Sequence, residues 1–297
     1  MKNYIIKLGN LDRRIIFLLI GLAVLIPLIN PNLIDLPLGQ DRNTKVVYDS
    51  ISELQENDKI LISFAYGAST KPEVHPMAIA LLNQLFSKGV KVYIVSLWPE
   101  SPIMAQQAIS EVKNSKLFYV EDGIDYVMFD YKVGGFVVIK GIADNFRELY
   151  QQDYNGKSID SLNIMDGVYS VKDFDFVFDF SAGVPGNAEW VQYACDPKNI
   201  PLSSGCTSIM VTDAIPYVES GQLRGILAGM PGAAEYEKMV YNHMVSEQSK
   251  NVYMNADIAI TKGKAYARMS AQSVAHLLMV LFIIIGNIAY YYSRKEK

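Results

Sequence analysis

Two uncharged apolar stretches, one near each end of the 297-residue chain, constrain its architecture more than any other feature. IIFLLIGLAVLIPLINPNLI runs from Ile15 to Ile34, and AQSVAHLLMVLFIIIGNIAYYYS from Ala271 to Ser293. A helix needs about 20 mainly apolar residues to cross a bilayer, and both stretches reach that length. Lys2, Lys7, Arg13 and Arg14 ahead of the first also suit the basic region of a secretory signal. The following NPNLIDLPLG, however, has no small-x-small cleavage site, so the segment reads as an uncleaved anchor. The expected organisation is a short basic tail (1–14), a first transmembrane helix (15–34), an α/β domain (35–268), a second transmembrane helix (269–293) and a basic tail (294–297).

Lys and Arg near the helix ends set orientation. Outside the spans lie Lys2, Lys7, Arg13, Arg14, Arg294, Lys295 and Lys297, seven against the five on the domain side, Arg42, Lys45, Lys262, Lys264 and Arg268. This bias places both termini in the cytoplasm and the domain outside the cytoplasmic (inner) membrane. With a net charge of −4 and no basic block interleaved with aromatics, the chain has no nucleic-acid footprint. Cys195 and Cys206 are too few for a disulfide framework or a four-thiolate zinc site. An exported domain admits one bridge between them, or two unpaired, half-buried thiols.

Between the anchors, apolar runs alternate with amphipathic helices. After a short helix at 46–56, KILISFAYG (59–67), VKVYIVSLW (90–98), IDYVMFDY (124–131), FDFVFDFSAG (174–183) and IPLSSGCTSIMVT (200–212) read as strands. Helices are expected at 75–89, 102–115 and 187–197. Residues 134–150 read as strand turning into helix, and 151–173 as a polar insertion without a period. In SGQLRGILAGMPGAAEYE, four glycines suggest a motif, but the parse is again architectural. A helix ends at Ser220-Gly221, a sixth strand follows at 222–230, Pro231-Gly232 turns, and a helix begins at Ala233. Gly225 and Gly229 within that strand imply close approach by a neighbouring element. Near-continuous hydrophobic strands of this kind belong to a mostly parallel, doubly wound (Rossmann-like) α/β sheet of about six strands, flanked here by the two transmembrane helices.

Open α/β sheets bind ligands beyond the carboxyl ends of their strands. That rule selects Gly67, Ser69, Thr70, Trp98, Ser181, Gly183, Thr207 and the Gly232 turn as ligand-binding candidates. An enzymatic version makes Ser69 or Ser181 a nucleophile, His75 its base, and Asp179 or Asp213 the orienting carboxylate. Against it, no G-x-S-x-G elbow is present. Ser69 and Thr70 equally suit helix-capping and turn hydroxyls. His75, His243 and His276 lack metal-ligand spacing, and both G-x-G-x-x-G and the lysine-bearing phosphate loop are missing, so no metal and no cofactor is expected.

The second apolar stretch carries a more specific signal. His276, Val280, Ile283, Asn287 and Tyr291 recur at steps of four and three and share one helix face. Polar groups in hydrocarbon usually point at a protein partner, here the first span, another subunit or a second copy. Taken together, AQSVAHLL…IIGNIAYYYSR and SGQL…GAAEYE resemble a family of uncharacterised bacterial membrane proteins with an α/β domain between N- and C-terminal anchors. The resemblance implies that architecture and brings no activity and no catalytic residues. The resulting expectation is a non-catalytic subunit or scaffold of a membrane assembly. The alternative is a membrane-tethered, hydrolase-like enzyme or ligand sensor using the strand-end crevice.

Overall fold

The computed structural model describes residues 12–31, 33, 39 and 41–294, and divides into two compact units, Leu38–Ala265 and a second formed by Met1–Pro37 with Tyr266–Lys297. Lys2, Lys7, Lys295 and Lys297, and most of the stretch 32–40, lie outside the described residues.

The larger unit is an α/β fold around a six-stranded, all-parallel sheet of order β3-β2-β1-β4-β5-β6. Its strands are β1 (Lys59–Ala65), β2 (Lys91–Ser96), β3 (Tyr126–Met128), β4 (Phe176–Ser181), β5 (Leu202–Cys206) and β6 (Ile226–Ala228). The helices of the described residues, in chain order, are α1 (Arg13–Ile29), α2 (Arg42–Ser52), α3 (Lys71–Phe86), α4 (Ser101–Asn114), α5 (Phe136–Asp144) and the single turn α6 (Phe146–Leu149). They continue with α7 (Asn187–Trp190), α8 (Val211–Glu219), α9 (Gly229–Glu247) and α10 (Lys264–Arg294). A π-helical turn, Val191–Cys195, and a further helical turn, Asp196–Lys198, extend α7.

Alternation along buried strands gives the sheet two apolar faces. On one, Phe64, Phe178 and Phe180 pack together, Phe64 and Phe180 edge to face with centroids 5.5 Å apart, and α3, α4 and α9 lie on that side. On the other, Leu61, Ala65, Tyr93, Val95 and Val177 meet Ile139, Ile142, Trp190, Val191 and Cys195 from α5, α7 and its π-helical extension. The polar insertion forms three short 3-10 turns whose Ile159, Ile164, Met165, Val168 and Val171 join this second core.

Several elements differ from the sequence expectation, each for a local reason. Residues 134–150 contain no strand, because Gly134 and Gly135 (φ +144° and +56°) turn the chain directly into α5. Helix α3 begins at Lys71 rather than His75, since Pro72 suits a first helical turn. Strand β6 is three residues long, and Pro231-Gly232 lies inside α9 instead of forming a turn, because Gly229 (φ +58°) starts the helix. Pro231 loses nothing there, as first-turn N–H groups have no intrahelical acceptor. The expected close approach at the glycines is present. A Cβ on Gly225 would lie 2.7 Å from the Asn43 carbonyl oxygen, and one on Gly229 2.1 Å from the Ser208 hydroxyl.

In the smaller unit, α10 is long and apolar enough to cross a membrane, and it is the only described helix that is. Helix α1 has 17 residues and carries Pro27 near its end.

Candidate functional site at the strand switch point

Strand order reverses between β1 and β4, which makes their carboxyl ends the natural place for a ligand. The two ends are tied by the Ala182 N–H, which donates to the Ala65 carbonyl at 3.0 Å. Beyond β1, the Ala68 N–H donates to Glu100 Oε2 at 2.8 Å, and the Thr70 hydroxyl donates to the Gly67 carbonyl at 3.3 Å. A Cβ on Gly67 would fall 2.2 Å from Glu100 Oε2 and so displace that carboxylate from the Ala68 N–H. Beyond β4, the Trp98 ring lies against Gly183, and its indole N–H donates to the Val184 carbonyl at 3.2 Å. The turn then folds back so tightly that a Cβ on Gly186 would lie 3.0 Å from Ser181 Oγ. Trp98 and residues 182–186 therefore close the mouth of the crevice. Open clefts of 720, 430 and 280 Å³ occur elsewhere, lined by residues such as Lys113, Tyr119, Lys88 and Tyr154 and by none of the strand-end candidates.

Beneath that closure lies an unusual polar row. Register places Ser63 of β1, Asp179 of β4 and Ser204 of β5 side by side, so their side chains leave the same face of the sheet. Ser181 follows two residues along β4 on that face. All four are fully buried, and neither Asp179 oxygen nor any of the three hydroxyls has a hydrogen bond of ordinary geometry. Asn187, directly after Gly186, is buried with both amide atoms unpaired, as is the Trp190 indole N–H above the same sheet face. Burial pushes the Asp179 carboxyl up to about 7; the Ser63 and Ser181 hydroxyls temper the rise and Glu189 adds to it. No Lys or Arg forms an ion pair with it among the described residues.

The serine, histidine and aspartate of the enzymatic version are not assembled. Ser69 is exposed in the loop after β1, and Asp213 is exposed in the first turn of α8. His75 is buried on α3, with Nδ1 2.8 Å from the Tyr66 hydroxyl and Nε2 3.4 Å from Glu111 Oε1. Its partners are thus a tyrosine and a glutamate, neither a nucleophilic serine. Glu111 in turn meets Lys264 Nζ at 2.6 Å. Burial opposes the Glu111 charge, but Lys264 and His75 outweigh it and hold the carboxyl below its usual range. Thr207 is buried just beyond β5, whereas Gly232 is buried in the first turn of α9, where it packs against the Leu227 backbone. Cys195 and Cys206 are buried free thiols, so no bridge joins them. Burial pushes the Cys206 thiol up to about 12 and raises Cys195 as well, with Asp179 contributing to both. Among the described residues no group of three His, Cys, Asp or Glu side chains could hold a metal ion.

On α10, His276, Val280, Ile283, Asn287 and Tyr291 are all exposed. The shielded stripe of that helix, Ala271, Ala275, Leu278, Phe282, Ile285 and Ala289, is the opposite one.

The Ser63–Asp179–Ser204 row was legible in part. A carboxylate inside FVFDF and serines inside ILISFA and LSSGC interrupt otherwise apolar strands, yet only the register reveals that they are neighbours. The Tyr66–His75–Glu111 chain left no such signal, because its members come from a strand end and two helices. No family model matches the chain, and no curated protein or solved structure matches it either. The resemblance of its C-terminal span therefore carries no function to any of these residues.

Proposed function

We propose that this chain is a membrane-anchored, non-catalytic subunit of a larger membrane assembly, with α1 as a second anchor beside α10. One observation carries the reading. Helix α10 leaves His276 and Asn287 exposed on the face opposite its shielded stripe, and polar groups within a bilayer favour a protein partner, which supports contact with another chain. The closed switch point and the separation of Ser69, His75 and Asp213 support a domain that holds position rather than turns over substrate. The Lys and Arg bias favours cytoplasmic termini and an extracytoplasmic domain.

Native mass spectrometry of the detergent-solubilised full chain tests the reading. An oligomer, or a stable complex with co-purifying subunits, is expected; a clean monomer under mild solubilisation removes its support. Topology is testable at Ser69→Cys, an exposed loop position, whereas the native thiols are too deeply buried to report it. A ligand-responsive role for the same domain has one observation in its favour, the unpaired polar row under the switch-point closure.

A further inference from the structure

A fully buried carboxylate with no basic partner, met only by the Ser63 and Ser181 hydroxyls, is a costly thing to keep in a fold. Unpaired buried charges are destabilising by several kcal/mol, and native interiors pair or neutralise them. Asp179 sits in β4, one of the two middle strands of the sheet. Around it the neighbours are oxygen donors: Ser63 on one side, Ser204 on the other, and Ser181 further along the same strand. Asn187 follows Gly186, whose backbone presses on Ser181, and it also leaves its amide oxygen unpaired. None of the nearby charged groups is positive. Glu189 is acidic, and the Cys195 and Cys206 thiols are kept protonated by burial.

From this arrangement we propose that Asp179, Ser63, Ser181 and Ser204 hold one dehydrated alkali-metal cation at the base of the switch point. The charge balances, because a single carboxylate neutralises a single positive charge. A divalent ion would leave an excess charge in the interior and takes more carboxylates than are present. The donor atoms are hard oxygens, with no thiolate and no imidazole among them, which excludes the softer transition metals. Ser63 and Ser204 flank Asp179 on the two neighbouring strands, about 4.8 Å to either side, which leaves the carboxylate at the centre of the row. Bound there, the ion ties β1, β4 and β5 together beneath the Trp98 and Gly183–Gly186 closure and so sets whether the crevice stays shut.

The site lies wholly within the α/β domain, so its test is separate from that of the assembly. The full chain in detergent is melted at constant ionic strength in choline, sodium or potassium chloride, following the fluorescence of Trp98 and Trp190, its only two tryptophans. The expected result is a saturable rise in melting temperature with sodium or potassium over choline. It should be absent in Asp179→Asn, and Ser204→Ala should need about tenfold more cation. If Asp179→Asn fails to fold, the Ser204→Ala midpoint decides alone. Identical melting of the wild-type chain in all three salts, or an unshifted midpoint in Ser204→Ala, overturns the proposal. So does a full cation response in Asp179→Asn.

Discussion

His75 Nδ1 lies 2.8 Å from the Tyr66 hydroxyl, and both side chains are sealed within the domain. The other ring nitrogen faces Glu111 at 3.4 Å, so the proton belongs on Nε2 and Tyr66 donates to Nδ1. Burial lowers the His75 pKa to about 4, with Lys71 and Lys264 adding to the effect and Glu111 opposing it. A histidine depressed in the folded state contributes stability that is present above its unfolded pKa, about 6.5, and lost as pH falls through about 4. The loss should reach about 3 kcal/mol and be absent in His75→Gln. Urea unfolding of the two proteins from pH 7 to pH 4 measures it, and parallel curves would remove His75 from the account.

Asp179 works in the opposite direction. Its folded pKa is raised to about 7, so its contribution is full below the unfolded value, about 3.8, and lost as pH rises through 7. In choline buffer the wild-type domain should lose about 4 kcal/mol from this group across that window. Asp179→Asn should not show that loss. The Asp179 carbonyl stretch in an infrared titration supplies an independent readout, with a protonated carboxyl band persisting at pH 6.

Gly229 and Gly221 separate backbone strain from crowding. Both have positive φ, +58° and +79°, but nothing lies within 4 Å of a Cβ on Gly221. Gly221→Ala should cost about 1 kcal/mol, the ordinary penalty of a left-handed alanine. Gly229→Ala should cost more, about 2–3 kcal/mol, because its Cβ also displaces the Ser208 hydroxyl from Glu73. Equal losses in chemical denaturation would show that the Glu73–Ser208 contact adds no stability.

The two thiols give a simpler check. Cys195 and Cys206 are buried, free and protonated, so neither should react with a disulfide reagent until the domain unfolds, at which point two equivalents react. Rapid labelling of the folded chain, or a mass two hydrogens short of the reduced protein, contradicts that placement.

Much of the fold could be read from hydrophobic pattern. The six apolar runs around Ile60, Val92, Val127, Val177, Ser204 and Leu227 all became parallel strands, and helices followed most of them. Their lengths were harder to read. Apolar residues such as Val211 and Met230 continue past the strand ends into helices, and nothing in hydrophobicity distinguishes the two. Strand order, which decides where a crevice forms, comes from long-range pairing and cannot be read from local pattern. The site was correspondingly less legible. Asp179 drew attention as a partner for His75, whereas register gives it Ser63 and Ser204 instead. The expected helix start at His75 came one turn late because Pro72, not Pro76, marks the start of α3.

The central claim, that the exposed face of α10 meets another chain in the bilayer, is tested most directly by cysteine cross-linking in native membranes. Ile283 lies on the His276–Asn287 face and Leu281 on a different exposed side of the same helix, while the two native cysteines are buried. Ile283→Cys should yield one discrete cross-linked species, and Leu281→Cys should remain uncoupled. Equal, weak coupling at both positions, or none at either, would mean that this face meets only lipid.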